Sequence, residues 1–441
     1  MILRLKGVFF ALLVANNVQA MDILDAWRAT RTYDPSYRAA LMEHEAGSQN
    51  RALGLAGLLP QASLSGSKSK VNGEITQPNF LGHMSTSPLK YDSYSYTAQL
   101  RQPLFNWTRW AEYRQGNARA NYSDTMLQVR EQEIAIRLAE RFFDVLLSRD
   151  TIALNSSRLR AIQHQLDSAE RRFQLGDGTV TEIDEAQSRR DLARAELIET
   201  EDQYQIARRA LQEMIGQIPP PLADLKSEFS MPSLEPADHE EWLRRALEKN
   251  PEILSQQHNV HIAKLDVERT LGNNLPSVDF VASHGLGESD TLSTRNQRST
   301  TNTVGIQVTI PLFSGGSQLA SYRQNAANSE RALSELDATR ERIAYNLERY
   351  YRGVVNGAQR IRALELAVTS SARSLESMKK GVQAGTRTTL DVLNAEDQLY
   401  QAQRNLLESR LRYLLSRLQL DAITGGLDDA AFERINNYLV E

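Results

Sequence analysis

The chain states its plan twice, about half its length apart. Asp34-Pro35 opens a helical pattern closed by Pro60, and Asn250-Pro251 opens a similar one closed by Pro276. Pro103-Leu104-Phe105-Asn106 returns as Pro311-Leu312-Phe313-Ser314. Leu175-Gly176-Asp177-Gly178-Thr179 returns as Ala384-Gly385-Thr386-Arg387-Thr388. The offsets are 216, 208 and 209 residues, so the order of parts is kept while loop lengths drift. An internal repeat of this size makes the duplicated unit, not the 441-residue chain, the object that must fold.

Residues 1–20 have the order of a secretory signal: Arg4 and Lys6, an apolar stretch from Val8 to Ala15, then Val18-Gln19-Ala20 as a cleavage site. That stretch is too short to span a bilayer as a helix. The mature chain is expected to start near Met21 and to be exported. There is no cysteine, which excludes disulfides and an acylated N-terminal cysteine. A net charge of −4 with both signs abundant gives no case for a nucleic-acid partner. Beyond the signal no run reaches the ~18 apolar residues of a membrane-spanning helix.

The repeats organise the chain as 21–216 and 238–426, joined by a proline-rich connector at 217–237 and followed by a tail at 427–441. Each unit reads as helix, strand, polar loop, strand, very long helix, turn, helix. In the first unit these are 22–58, 61–71, a loop at 72–90, 91–103, 106–174 and 180–215. In the second they are 238–273, 277–285, a loop at 286–302, 303–311, 315–383 and 389–424. The second strands alternate cleanly. Tyr94, Tyr96, Ala98 and Leu100 oppose Ser93, Ser95, Thr97, Gln99 and Arg101; Val304, Ile306, Val308 and Ile310 oppose Thr303, Gly305, Gln307 and Thr309. Their lengths suit a tilted transmembrane strand, although an edge hairpin on a soluble domain alternates in the same way.

The long helices carry seams. Leu159, Ile162, Leu166, Ala169 and Phe173 follow the 3-4 spacing of a coiled coil. The last helix has two lines, Leu393, Tyr400, Leu407 and Leu414 beside Val392, Leu399, Leu406, Tyr413 and Leu420. Two such lines fit a helix with a neighbour on each side, in a tube of helices or sunk in a bundle. A helix from 106 to 174 is ~100 Å long at ~1.5 Å per residue. Four strands cannot close a transmembrane barrel, which needs at least about eight, so strands in a membrane require several chains to share one barrel.

These segments carry a resemblance to the TolC family of outer-membrane efflux and secretion ducts. Ala384 through Ala395 is similar to the family's periplasmic tip, Arg172 through Glu182 to the matching turn of the first unit, and Ile310 through Gly316 to its strand-to-helix junction. The resemblance implies an α+β membrane protein. Three chains would give four strands each to a 12-stranded β-barrel continuous with a 12-helix α-barrel across the periplasm of a Gram-negative cell. It also implies a passive channel, opened at its tip by a periplasmic adaptor (membrane fusion) protein and an inner-membrane ABC or other pump. Type I protein secretion is favoured over small-molecule efflux because the lipid-anchor cysteine is missing. A periplasmic coiled-coil adaptor without a pore is the alternative from another class.

By the same resemblance, Asp391 would ring the constriction and set its ion selectivity. Asn394 stands where the family often has a second carboxylate. Arg387 would latch the tip against Thr181 and Glu182, and the turns at Gly176 and Gly385 would meet the adaptor. Thr388-Thr389-Leu390-Asp391 and Thr179-Val180-Thr181-Glu182 are also capping-box patterns, so helix capping competes for both acids. Trp107 and Trp110, just past a strand, suit a membrane-interface belt in contact with outer-membrane lipid, or ordinary packing. No catalytic motif, cofactor loop or metal-ligand set emerges. His258 and His261 lack further ligands at useful spacing, and Asp177-Gly178-Thr179 lacks the regularly spaced acids of a calcium loop.

Overall fold

The computed structural model describes residues 20–289 and 297–440, with the side chains of Leu89 and Ser289 left aside. All of the expected signal segment except Ala20, and residues 290–296 of the second expected loop, lie outside it. The chain divides into two compact units. One is built from residues up to 41, 128–250 and 341 onward, the other from 42–127 and 251–340.

Each expected first helix is broken at its proline, and the first is broken again at Gln49. α1 (Ile23–Tyr33), α2 (Pro35–Ser48) and α3 (Asn50–Ala56) replace the single helix at 22–58; α6 (His239–Lys249) and α7 (Pro251–Gly272) replace the one at 238–273. The cause is local. A residue before proline is driven out of the helical region, and Asp34 and Asn250 have ψ of 121° and 123°. Each proline then serves as the first helical residue, where its missing N–H costs nothing. Asp34 Oδ1 also accepts from the Ser36 N–H at 2.6 Å.

The second unit holds one antiparallel sheet ordered β1 (Gln61–Pro78), β2 (Met84–Phe105), β3 (Ser277–Ser289), β4 (Gln297–Thr309). The expected polar loop at 72–90 is instead the far end of a hairpin. Its residues stay in register from Asn72↔Lys90 to Pro78↔Met84. Polarity misled here: hydroxyl pairs such as Thr76 and Thr86, 2.7 Å apart, bond across strands. The real turn is short. The Asn79 side chain accepts from the N–H groups of Leu81 and His83, and Gly82 supplies φ = 78°. In the second copy the strands also run past their expected ends, to Ser289 and from Gln297.

Register sorts the sheet into two faces. Leu64, Ala98, His284 and Asn302 align across it, as do Ala62, Leu100, Ala282 and Val304. Leu64, Leu286, Val304, Ile306 and Val308 all lie exposed on this apolar face. The other face carries Ser63, Ser65, Thr97, Gln99, Ser283, Thr303 and Gln307. Among the described residues its one ion pair is Arg101 with the buried Asp279, at 2.6 Å.

In the first unit, α4 (Trp107–Gln174) and α8 (Ser317–Gln383) supply their later turns, beside α5 (Val180–Ile215) and α9 (Thr389–Ile423). Ile162 and Leu166 of the α4 seam pack with Ala186 and Ala193 of α5 and Leu393 of α9. Phe173 is exposed instead, because α4 ends one residue later. Both lines of α9 are covered, with Leu393, Tyr400 and Leu414 buried on one and Val392, Tyr413 and Leu420 on the other. The connector at 217–237 lacks regular helix but is tied down: Leu222 bridges Met21, and Leu225 bridges Leu439. The tail is not featureless, since Asp428 caps α10 (Asp429–Asn436), whose Phe432 stacks on Trp27 at 5.4 Å.

Candidate gate at the helix-to-helix turns

Two helix-to-helix turns hold the residues expected to act as a gate. In the first, α4 ends at Gln174, Gly176 takes φ = 84°, and Thr179 caps α5. In the second, α8 ends at Gln383, Gly385 takes φ = 71°, and Thr388 caps α9. A Cβ on either glycine would meet nothing within 4 Å. Both are required for the left-handed backbone, not for close packing.

The acids behave differently. Asp391 completes a capping box. Its N–H donates to Thr388 Oγ1 at 3.2 Å, and its Oδ2 accepts from the Thr388 N–H at 2.9 Å and hydroxyl at 3.0 Å. Those bonds, with the nearby Arg387 charge, hold the Asp391 carboxyl below its ordinary pKa. Glu182 does not reach back to its cap. Its Oε2 accepts from Arg172 at 2.8 Å, and Arg172 also donates to the Thr389 hydroxyl. One arginine at the end of α4 thus joins the starts of α5 and α9.

Arg172 was missed by motif reading, although the repeat offset exposes it. Arg172 and Gly178 of the first turn correspond to Gly381 and Arg387 of the second: the arginine and glycine have exchanged places. Each glycine makes room. A Cβ on Gly178 would fall 2.7 Å from the Phe173 backbone nitrogen, and one on Gly381 would fall 2.6 Å from Arg387 Cγ. Among the described residues, Arg387 forms no hydrogen bond or ion pair with Thr181 or Glu182 of its own chain.

Farther from the turns lies a polar cluster that no motif announced. Arg158 of α4 meets Glu196 of α5 at 2.5 Å and Asp397 of α9 at 2.8 Å. Arg189 of α5 meets Asp397 at 3.0 Å and donates to Asn394 Oδ1 at 2.9 Å. Tyr400 closes the set with a 3.1 Å bond to Glu196, under the Arg158 guanidinium. Asn394 is therefore engaged in holding α5 to α9. Beside it the buried Glu396 lies 3.2 Å from Lys379 of α8, and burial pushes its carboxyl above the ordinary pKa.

Trp107 and Trp110 open α4 directly after β2 and are 38% and 47% exposed. Trp110 tilts against Tyr113 at 5.5 Å. The matching junction of the second copy exposes Leu312 and Phe313.

An exposed apolar sheet face, a hydroxyl-lined opposite face and helices of 68 and 67 residues define a chain of a barrel-and-helix membrane channel. The sequence matches the family model of outer membrane efflux proteins over residues 28–217 and 242–426. The chain belongs to that family, the one its turn motifs resemble. The alkaline protease secretion protein AprF of Pseudomonas aeruginosa is 36% identical, covering 97% of this chain and 89% of its own. The proteases secretion protein PrtF of Dickeya chrysanthemi is 33% identical, covering 97% and 94%. Among solved structures, the outer membrane protein VceC from Vibrio cholerae superposes with a TM-score of 0.76 at 17% identity, covering 92% of this chain and 97% of that one. The protein is one chain of a trimeric outer-membrane exit duct that extends into the periplasm of a Gram-negative cell. A pore-free scaffold is thereby set aside.

Proposed function

We propose that this duct serves type I secretion of a protein substrate, as a homotrimer engaged by a periplasmic adaptor and an inner-membrane ABC pump. The observation that carries the reading is the similarity, over nearly the full length of the chain, to two proteins named for protease secretion. The inner sheet face supports it. That face is mostly Ser, Thr, Gln and Gly, and its Arg101 is paired with Asp279, so the lining offers an unfolded polypeptide little net charge and little apolar grip. In this reading the turns at Gly176 and Gly385 meet the adaptor, and the three Asp391 carboxylates line the constriction. Arg387, which forms no ion pair among the described residues, is the latch to a neighbouring protomer, while Trp107 and Trp110 sit at the periplasmic interface of the outer membrane. The repeats at 21–216 and 238–426 are the two halves of each protomer's share.

The test is deletion of the gene, with secreted proteins and drug susceptibility compared side by side. Loss of a secreted protein with unchanged susceptibility is expected. Intact secretion with raised susceptibility would assign the duct to small-molecule efflux instead.

A further inference from the structure

The outward face of the long hairpin changes character abruptly. Leu64 and Tyr96 belong to its apolar part; moving away from the helices, the same face next presents Lys68, then Lys70, with Lys90 on β2. Register places Lys68 opposite Tyr94, Lys70 opposite Asp92 and Lys90 opposite Asn72. The three lysines therefore span ~14 Å of strand, at ~3.4 Å per residue. All three lysines are exposed, and Lys68 Nζ stands 5.0 Å from the Tyr94 ring centre.

The choice of cation is selective. The sequence has nine lysines, and three stand on this strip, whereas the helices carry most of their ion pairs on arginine. None of the three forms an ion pair among the described residues. Asp92 and Glu74 share the face and leave an excess of one positive charge. At the level of Lys68 on the second hairpin, Glu288 and Arg298 lie 4.0 Å apart and cancel. The opposite rim, at Trp107, Trp110 and Phe313, has aromatics and no lysine. A lysine stem can lie along an apolar surface while its ammonium reaches an anionic layer, and clustered cations bind anionic headgroups.

We propose that Lys68, Lys70 and Lys90 form a docking site for the phosphate groups of a phosphorylated glycolipid in the outer leaflet. The site begins where the apolar band ends, so acyl chains would lie against Leu64 and Tyr96 while the phosphates meet the lysines.

The test uses the purified full-length protein in detergent micelles doped with bis-phosphorylated lipid A, with retained lipid counted by native mass spectrometry. The wild type is expected to retain the lipid. The K68Q/K70Q/K90Q variant should lose affinity at least about tenfold, given ~1 kcal/mol per cation near an anionic surface. K68R/K70R/K90R should restore it, and an unchanged oligomer mass in each variant establishes folding. Equal retention by the glutamine variant, or equal retention of dephosphorylated lipid A by the wild type, overturns the proposal. Displacement by millimolar inorganic phosphate alone would mark a free-phosphate site and overturn it too.

Discussion

The two helix-to-helix turns are copies of one design that have kept the backbone and moved the charge. Both retain a left-handed glycine and a threonine cap. In the first, arginine precedes the turn and ties three helices of its own chain. In the second, arginine follows the turn, lies over Gly381 and forms no ion pair among the described residues, its charge acting only at a distance on Asp391. Duplication thus supplied two joints of equal shape, and exchanging one arginine for one glycine made one a fixed joint and the other a free one.

The comparison breaks most directly at Arg172. Arg172→Ala removes the bond to Glu182 and the bond to Thr389 together. We expect a several-fold rise in planar-bilayer conductance; unchanged conductance in a folded channel would show that the first turn does not restrain the tip. Arg387→Ser should raise conductance less, and its effect should add to that of Arg172→Ala if the two arginines restrain different partners. Gly381→Ala, which forces Arg387 aside, should reproduce Arg387→Ser, and failure to do so would separate the arginine's charge from its placement.

A smaller effect is expected at Asp391. Asp391→Asn should shift the reversal potential toward weaker cation preference; no shift would leave only the cap. Because its pKa is depressed in the folded chain, its carboxylate persists to a lower pH than that of an ordinary aspartate. The stability it adds is full above the ordinary aspartate value and is lost as pH falls through the folded one. The cation preference of the wild type should decline over that same acidic range. The smallest difference is expected between the glycines. Gly176→Ala and Gly385→Ala should each cost ~1–2 kcal/mol for a left-handed residue, measured as similar losses in thermal midpoint. Unequal losses would show that the turns differ in backbone as well as charge.

Much of this was legible because it is periodic or local. The alternation of Val304 to Ile310, the seam of Ile162 and Leu166, and the capping pattern at Thr388 each declare themselves within a dozen residues. Polar strand ends did not, since a run of Ser, Thr and Lys looks like a loop until a partner strand is known; 72–90 became hairpin for that reason. The helix breaks at Pro35 and Pro251 were readable in principle, but the surrounding helical pattern masked them. The three-helix cluster around Arg158, Glu196 and Asp397 was out of reach. Its members are up to 239 residues apart, and only the tertiary packing brings them together.

Among the described residues the sheet ends in strands of 18 and 13 residues that pair on one side only. In hydrocarbon every backbone amide must find a partner within the protein, and an open edge recruits any strand at hand. A lone protomer therefore has no stable way to enter the bilayer first and find its companions afterwards. Insertion and trimerisation are one event, limited by how many chains meet at the membrane at once. A defective copy that retains both edges will be built into mixed trimers and spoil them, whereas one lacking the sheet will leave the remaining chains to assemble undisturbed.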